Sequence, residues 1–118
     1  MENEQKSIFI TGGSRGIGLA IAKKFASHNY NVAICSRSQD KLGAAEEQLQ
    51  ALGTGRVIPL ACDVRDREQI RSTAKAVLGE FGYIDVMVNN AGVFIPGKIS
   101  EEDEEVFETM MQTNLNSN

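Results

Sequence analysis

The stretch Phe9-Ile10-Thr11-Gly12-Gly13-Ser14-Arg15-Gly16-Ile17-Gly18 carries four glycines within seven residues, directly behind an apolar run. A loop this poor in Cβ atoms can bring its backbone N–H groups up against a phosphate. The residues from Ser7 to Thr11 read as a short buried strand, and Ile17, Ile21 and Phe25 recur behind the glycines at helical spacing. The loop therefore joins a strand to a helix N-terminus, where unpaired N–H groups and a partial positive charge favour an anion. Gly12 allows the tight turn, Gly16 lets the helix start close to a pyrophosphate, and Gly18 lets the helix pack close to the sheet. Ser14 and the backbone of Gly13 around it can donate to phosphate oxygens. The spacing Gly-x3-Gly-x-Gly is neither the standard Gly-x-Gly-x-x-Gly fingerprint nor a Walker A loop, which needs Gly-Lys-Ser/Thr. Taken alone the loop is equally a plain strand-to-helix turn. The strand before it and the helix after it point to a nucleotide.

The rest of the chain alternates the same two patterns. A second strand runs from Asn31 to Ser36, and Ser38 caps a helix with Leu42, Ala45, Leu49 and Leu52 on one face, stopped by Gly53. A third strand runs from Arg56 to Cys62, and Pro59 inside it removes a backbone donor, which suits an edge strand. Asp66 and Gln69 read as a capping box ahead of the stripe Ile70, Ala74, Val77, Leu78 and Phe81, and Gly82 ends that helix. A fourth strand spans 84–88, and Ser100 with Asp103 caps a last helix carrying Val106 and Met110. Strands alternating with helices imply a doubly wound parallel α/β sheet, a Rossmann fold, with strand order 3-2-1-4. The glycine loop then sits at the switch point, where such sheets take ligands.

Composition narrows the class. At 118 residues, 42% of them apolar and 24% charged, the chain fits one ordered domain. The net charge of −4 speaks against nucleic acid, and no apolar run nears a membrane span. The polar start MENEQKS has no signal-peptide core, so a cytoplasmic protein is expected. Two cysteines and one histidine make neither a disulfide framework nor a metal site. Cys35 and Cys62 read as small core residues, and His28 as a surface residue near a helix end.

Thr11-Gly12-x3-Gly16-Ile17-Gly18, Cys62-Asp63-Val64 after strand 3 and Asn89-Asn90-Ala91-Gly92 after strand 4 resemble the short-chain dehydrogenases/reductases. The likeness is nearest to the family's 3-oxoacyl-carrier-protein reductase-like and carbonyl-reductase members and runs from Ser7 to about Asn114. It implies that Ile17 contacts the cofactor near its phosphates, although Ile17 also fits a packed helix start. It implies that Asp63, with the Val64 backbone beside it, accepts from the adenine amino group; Asp63 can equally cap the next turn. Asn90, Ala91 and Gly92 would line the ribose or simply form a turn that steadies strand 4.

Cofactor choice follows from charge. NAD-preferring sites place an acid at the end of strand 2 for the ribose 2′-hydroxyl. Here that region reads Ser36-Arg37-Ser38, with no acid before Asp40. Arg37 can hold a 2′-phosphate, and Arg15 would reach it from the other side, which favours NADP(H) over NAD(H). Either arginine could instead be a solvated surface charge.

The resemblance implies hydride transfer between nicotinamide and a small carbonyl or alcohol substrate, with a tyrosine, a lysine four residues on, a serine and an asparagine. Asn114 matches the asparagine, or else simply ends its helix. Tyr30 and Tyr83 are the only tyrosines, and Ile34 and Met87 stand where the lysine should follow. The serine and Tyr-x3-Lys are expected beyond Asn118. Residues 1–118 therefore read as the N-terminal part of one dinucleotide-binding domain in a longer enzyme, with strand 4 left as a bare apolar edge. The alternative is a truncated, non-catalytic NADP(H)-binding module. The acidic run 101–105 suits a first helical turn. Val106, Phe107, Met110 and Met111 are core, or part of the homodimer or homotetramer interface that the resemblance implies.

Overall fold

The structure, a computed structural model, describes residues 5–12, 16–63, 65–89 and 92–94. Strand β1 (Ser7–Thr11) is buried along its whole length. Its side chains alternate between two cores, because successive Cβ atoms leave opposite faces of a strand. Phe9 points into one cluster with Ala33, Cys35, Ile70, Ala74, Val77 and Met87. Ile8 and Ile10 point into the other with Val32, Ile34, Leu42, Leu49 and Val88. Burying each of these large side chains is worth about 1.5–3 kcal/mol, so a strand apolar on both faces is stable only between two helical layers.

The layers follow the predicted order. Helix α1 (Gly16–Ser27) and helix α2 (Gln39–Gln50) cover one face, and helix α3 (Arg67–Phe81) covers the other. Strand β2 (Asn31–Ser36) pairs in parallel with β1, and strand β3 (Val57–Ala61) pairs in parallel with β2. Strand β4 (Val86–Asn89) joins the other side of β1, also in parallel. The parallel part of the sheet thus has the expected order 3-2-1-4, with Pro59 on the edge strand β3.

Several boundaries differ from the sequence reading, among them β3, which runs from Val57 to Ala61 rather than from Arg56 to Cys62. Helix α2 closes at its C-cap Ala51, before Gly53, which leaves Leu52 outside the helix and 42% exposed. Strand β4 begins at Val86 rather than 84, although Ile84 is fully buried ahead of it. The bare edge expected beside strand 4 is also absent. Strand β5 (Gly92–Phe94) pairs antiparallel with β4, Asn89 opposite Gly92 and Met87 opposite Phe94. Two residues separate these strands, the length of a tight hairpin connection, and pairing satisfies edge groups that would otherwise invite association. The predicted helix after Ser100 and the residues assigned to it lie outside the described residues.

Caps hold the helices that carry the site. Ser38 caps α2 by accepting from the Lys41 N–H. Asp66 caps α3 by accepting from the N–H groups of Glu68 and Gln69 at 3.0 and 3.3 Å. The Gln69 amide departs from the simple capping box: it donates to the Asp66 carboxylate and accepts the Asp63 N–H. Gln69 thereby ties the α3 cap to the end of β3. Asp66→Ala should cost roughly 1–2 kcal/mol, read as a lower midpoint in urea unfolding with an unchanged slope.

Candidate functional site

The C-terminal ends of β1, β2 and β3 come together at one rim of the sheet. The Gly12 N–H donates to the Cys35 carbonyl at 2.7 Å, locking the first turn after β1 onto the end of β2. The Cys62 N–H donates to the Ser36 carbonyl at 2.9 Å, locking β3 onto β2 in the same way. Backbone hydrogen bonds from two neighbours therefore fix where Arg37 and Asp63 leave the sheet.

Gly12 and Gly16 both have positive φ, 77° and 64°. Among the described residues, a Cβ placed on either would meet nothing within 4 Å beyond its own neighbours in the chain and helix. Internal crowding therefore does not account for glycine at these places. Backbone conformation does, together with open space above a helix N-terminus, and that is the shape of an anion cradle. Ile17, on the first turn of α1, is 80% exposed. The alternative of a packed helix start fails for it. Gly18 lies in the same turn of α1 and is half-buried. Gly13, Ser14 and Arg15 lie outside the described residues.

On the adjoining strand ends sits a cluster of charge. Arg37 Nη1 lies 4.0 Å from Asp63 Oδ2, with the arginine side chain 65% exposed. Arg65, which sequence reasoning passed over, grips the same carboxylate: its Nε donates to Oδ1 at 3.1 Å and its Nη2 to Oδ2 at 3.2 Å. The Arg65 backbone N–H also donates to Asp63 Oδ1 at 2.9 Å. Asp63 therefore does cap the turn that follows it. The signal was in the sequence, since an Asp followed two residues later by a donor is the local pattern of such a turn. The Arg65 side-chain hydrogen bond, then its backbone N–H, then the charges of Arg65 and Arg37 hold the Asp63 carboxyl below the usual carboxylate range. Asp63 is thus an anion across the physiological range.

Gly92 opens β5 opposite Asn89. Val64, Asn90, Ala91 and Asn114 lie outside the described residues. Both tyrosines are far from the rim. Tyr30 directly precedes β2 and packs edge-on against Phe25 with ring centroids 4.8 Å apart. The Tyr83 hydroxyl donates to the Gln5 carbonyl, ahead of β1. Parallel strands put these residues at the opposite end of the sheet from Gly12. Among the described residues no cluster of side chains could hold a metal, and no helix is long and apolar enough to cross a membrane.

Comparison with known proteins agrees with this architecture. Residues 6–118 match the short chain dehydrogenase family. The chain is 35% identical over 111 residues to the 3-oxoacyl-[acyl-carrier-protein] reductase FabG of Staphylococcus aureus (strain Mu50), covering 93% of this chain and 45% of that protein. It thus spans about half the length of that relative. Among solved structures, an alcohol dehydrogenase from Thermococcus sibiricus complexed with 5-hydroxy-NADP is 38% identical with a TM-score of 0.66, over 71% of this chain and 36% of that one. An NADH-dependent reductase, A1-R', complexed with NAD is 28% identical with a TM-score of 0.67, over 77% of this chain and 38% of that one. A parallel sheet in the order 3-2-1-4, two positive-φ glycines at its switch point and a match over nearly the whole length lead to one assignment: the chain belongs to the short-chain dehydrogenase family.

Proposed function

We propose that these residues are the cofactor-binding part of a single-domain, NADP(H)-dependent oxidoreductase acting on a small carbonyl or alcohol substrate. The observation that carries the reading is the pair of positive-φ glycines, Gly12 and Gly16, at the end of β1 and the start of α1, with Arg37 following the adjoining strand β2 on the same rim. A bound nicotinamide would supply the hydride. The chain's own residues bind and orient. N–H groups from Gly12 to Gly18, with Ser14, hold the pyrophosphate, and Ile17 lies against it. Arg37 and Arg15 hold the 2′-phosphate. Asn90, Ala91 and Gly92 line the ribose, and Asn114 supports the proton path.

Asp63, with Val64, takes the adenine amino group. The Arg65 clamp leaves room for this. A carboxylate offers about four acceptor sites, and Arg65 uses three of them, while the Arg37 contact at 4.0 Å is too long for a good hydrogen bond.

Relatives with both cofactors fit the nucleotide reading: one is complexed with 5-hydroxy-NADP and another with NAD. What favours NADP(H) here is Arg37 at the end of β2, where an acid would select NAD(H). The full-length protein is then expected to carry a Tyr-x3-Lys pair downstream, to work in the cytoplasm and to assemble as a homodimer or homotetramer. The test is a pair of titrations on the full-length protein and its Arg37→Asp variant. NADPH affinity should fall at least tenfold, and NADH affinity much less. An unchanged NADPH-to-NADH ratio would remove the 2′-phosphate assignment. NADPH binding without turnover of any carbonyl would instead favour a non-catalytic binding module.

A further inference from the structure

Cys35 and Cys62 are both buried, 0% and 5% exposed, and their sulfurs lie 2.9 Å apart in a thiol–thiol hydrogen bond. Nothing in the proposed chemistry uses them. Their meeting follows from strand register. In the β2–β3 pairing Cys35 stands opposite Leu60, so Cys62 is two residues further along, where side chains return to the same face. Both then enter the cluster under α3 with Ile70 and Ala74. The Cys62 N–H bond to the Ser36 carbonyl holds the two backbones together at this point.

We propose that Cys35 and Cys62 are a modification site: a peroxide oxidises them to an intramolecular disulfide that staples the end of β2 to the end of β3, directly beneath Arg37 and Asp63. To reach the disulfide length of about 2.05 Å the sulfurs need to close by roughly 1 Å, and because the two residues are diagonal neighbours on adjacent strands the strand ends draw together as the bond forms.

The pair is asymmetric, as a peroxide-reactive pair requires. The hydrogen bond with Cys35 pulls the Cys62 thiol below its ordinary value, against burial and the nearby charges of Asp63 and Asp66, which raise it; a hydrogen bond with Thr73 assists. The Cys35 thiol is pushed up, first by that same bond with Cys62 and then by burial. Cys62 directly follows the edge strand β3 and is 5% exposed against 0% for Cys35, so it is the more accessible of the two. Its thiolate attacks one peroxide oxygen and becomes a sulfenic acid, and the second oxygen leaves as hydroxide. The Cys35 sulfur then attacks the sulfenic sulfur. The Cys35 proton and the sulfenic hydroxyl depart as water. In sum, two thiols and one hydrogen peroxide give one disulfide and two waters.

The staple closes a segment from 35 to 62 that contains all of α2, so it also constrains the unfolded chain. The test treats the native full-length protein with hydrogen peroxide, blocks remaining thiols under denaturing conditions, and maps peptides by mass. The expected result is a linked pair of peptides carrying Cys35 and Cys62, separated again by dithiothreitol, and a Tm raised by roughly 5 °C in the oxidised protein. In Cys35→Ser, whose hydroxyl keeps a hydrogen-bond partner beside Cys62 but cannot form the bridge, the oxidation should stop at a Cys62 sulfenic acid that dimedone captures. Should that variant fail to fold, the peptide map of the unmodified sequence decides alone. Both cysteines still alkylated after peroxide, or a link only between two molecules, would overturn the proposal.

Discussion

Gly16→Val should lower NADPH affinity at least a hundredfold while the protein still folds. Two costs separate here. Forcing a side chain to a φ of 64° costs roughly 1–2 kcal/mol. That lowers thermal stability modestly, because among the described residues nothing beyond its own neighbours in the chain and helix lies within 4 Å of the new Cβ. The second cost appears only with the cofactor. The valine methyl groups occupy the space above the helix N-terminus where a pyrophosphate must come within hydrogen-bond distance of the N–H groups. Losing two such charge-assisted bonds is worth about 3 kcal/mol or more, which is a factor of a hundred or more in affinity. Differential scanning calorimetry of the protein without cofactor, paired with a fluorescence titration of NADPH, reads the two costs independently. Gly16→Val binding NADPH within threefold of the parent would place the phosphates elsewhere.

Gly55→Ala is expected to be far more damaging to the fold than its conservative look suggests. A Cβ at Gly55 would stand 2.1 Å from the Tyr30 carbonyl oxygen and 3.0 Å from the Asn31 nitrogen. Both are backbone atoms at the start of β2, so no side chain can swing aside. The approach to β3 is pinned there: Arg56 donates its N–H to the Asn31 side chain at 3.0 Å, and Val32 donates to the Arg56 carbonyl at 2.8 Å. Moving the loop away breaks those bonds and shifts β3. A loss of about 3 kcal/mol or more is expected, the scale of overpacking and broken buried bonds together. Gly43→Ala is the control. Gly43 is an exposed residue inside α2 with open space around its Cβ position. Alanine there should raise stability by roughly 0.5–1 kcal/mol. Urea unfolding of both variants measures the difference. Equal midpoints would mean that the close approach at Gly55 does not exist.

These two glycines show where sequence reasoning reaches and where it stops. Gly16 stands in a cluster behind an apolar run, so its role is legible locally. Gly55 stands in Gly53-Thr54-Gly55, which reads as any surface loop, and only the chain arriving from Tyr30 makes a side chain impossible. The site divides in the same way. Arg37 is legible because it ends the apolar run of β2, and Asp63 through the Cys62-Asp63-Val64 motif that carries the family resemblance. Arg65 was missed because it belongs to no run, although it holds the Asp63 carboxylate more tightly than Arg37 does.

By itself the sequence determined the alternation of strand and helix, the parallel order 3-2-1-4, the burial of β1 on both faces and the placement of the glycine turn at the switch point. These depend on hydrophobic period and turn chemistry, which act over a few neighbouring residues. The tertiary structure alone decided the β5 hairpin on the edge of β4, the Arg65 clamp on Asp63, the contact that only glycine permits at Gly55, and the meeting of Cys35 with Cys62. Each depends on the register between segments far apart in the chain. Shifting one strand by a single residue turns its side chains to the other face, and local pattern carries no record of which residue stands opposite which.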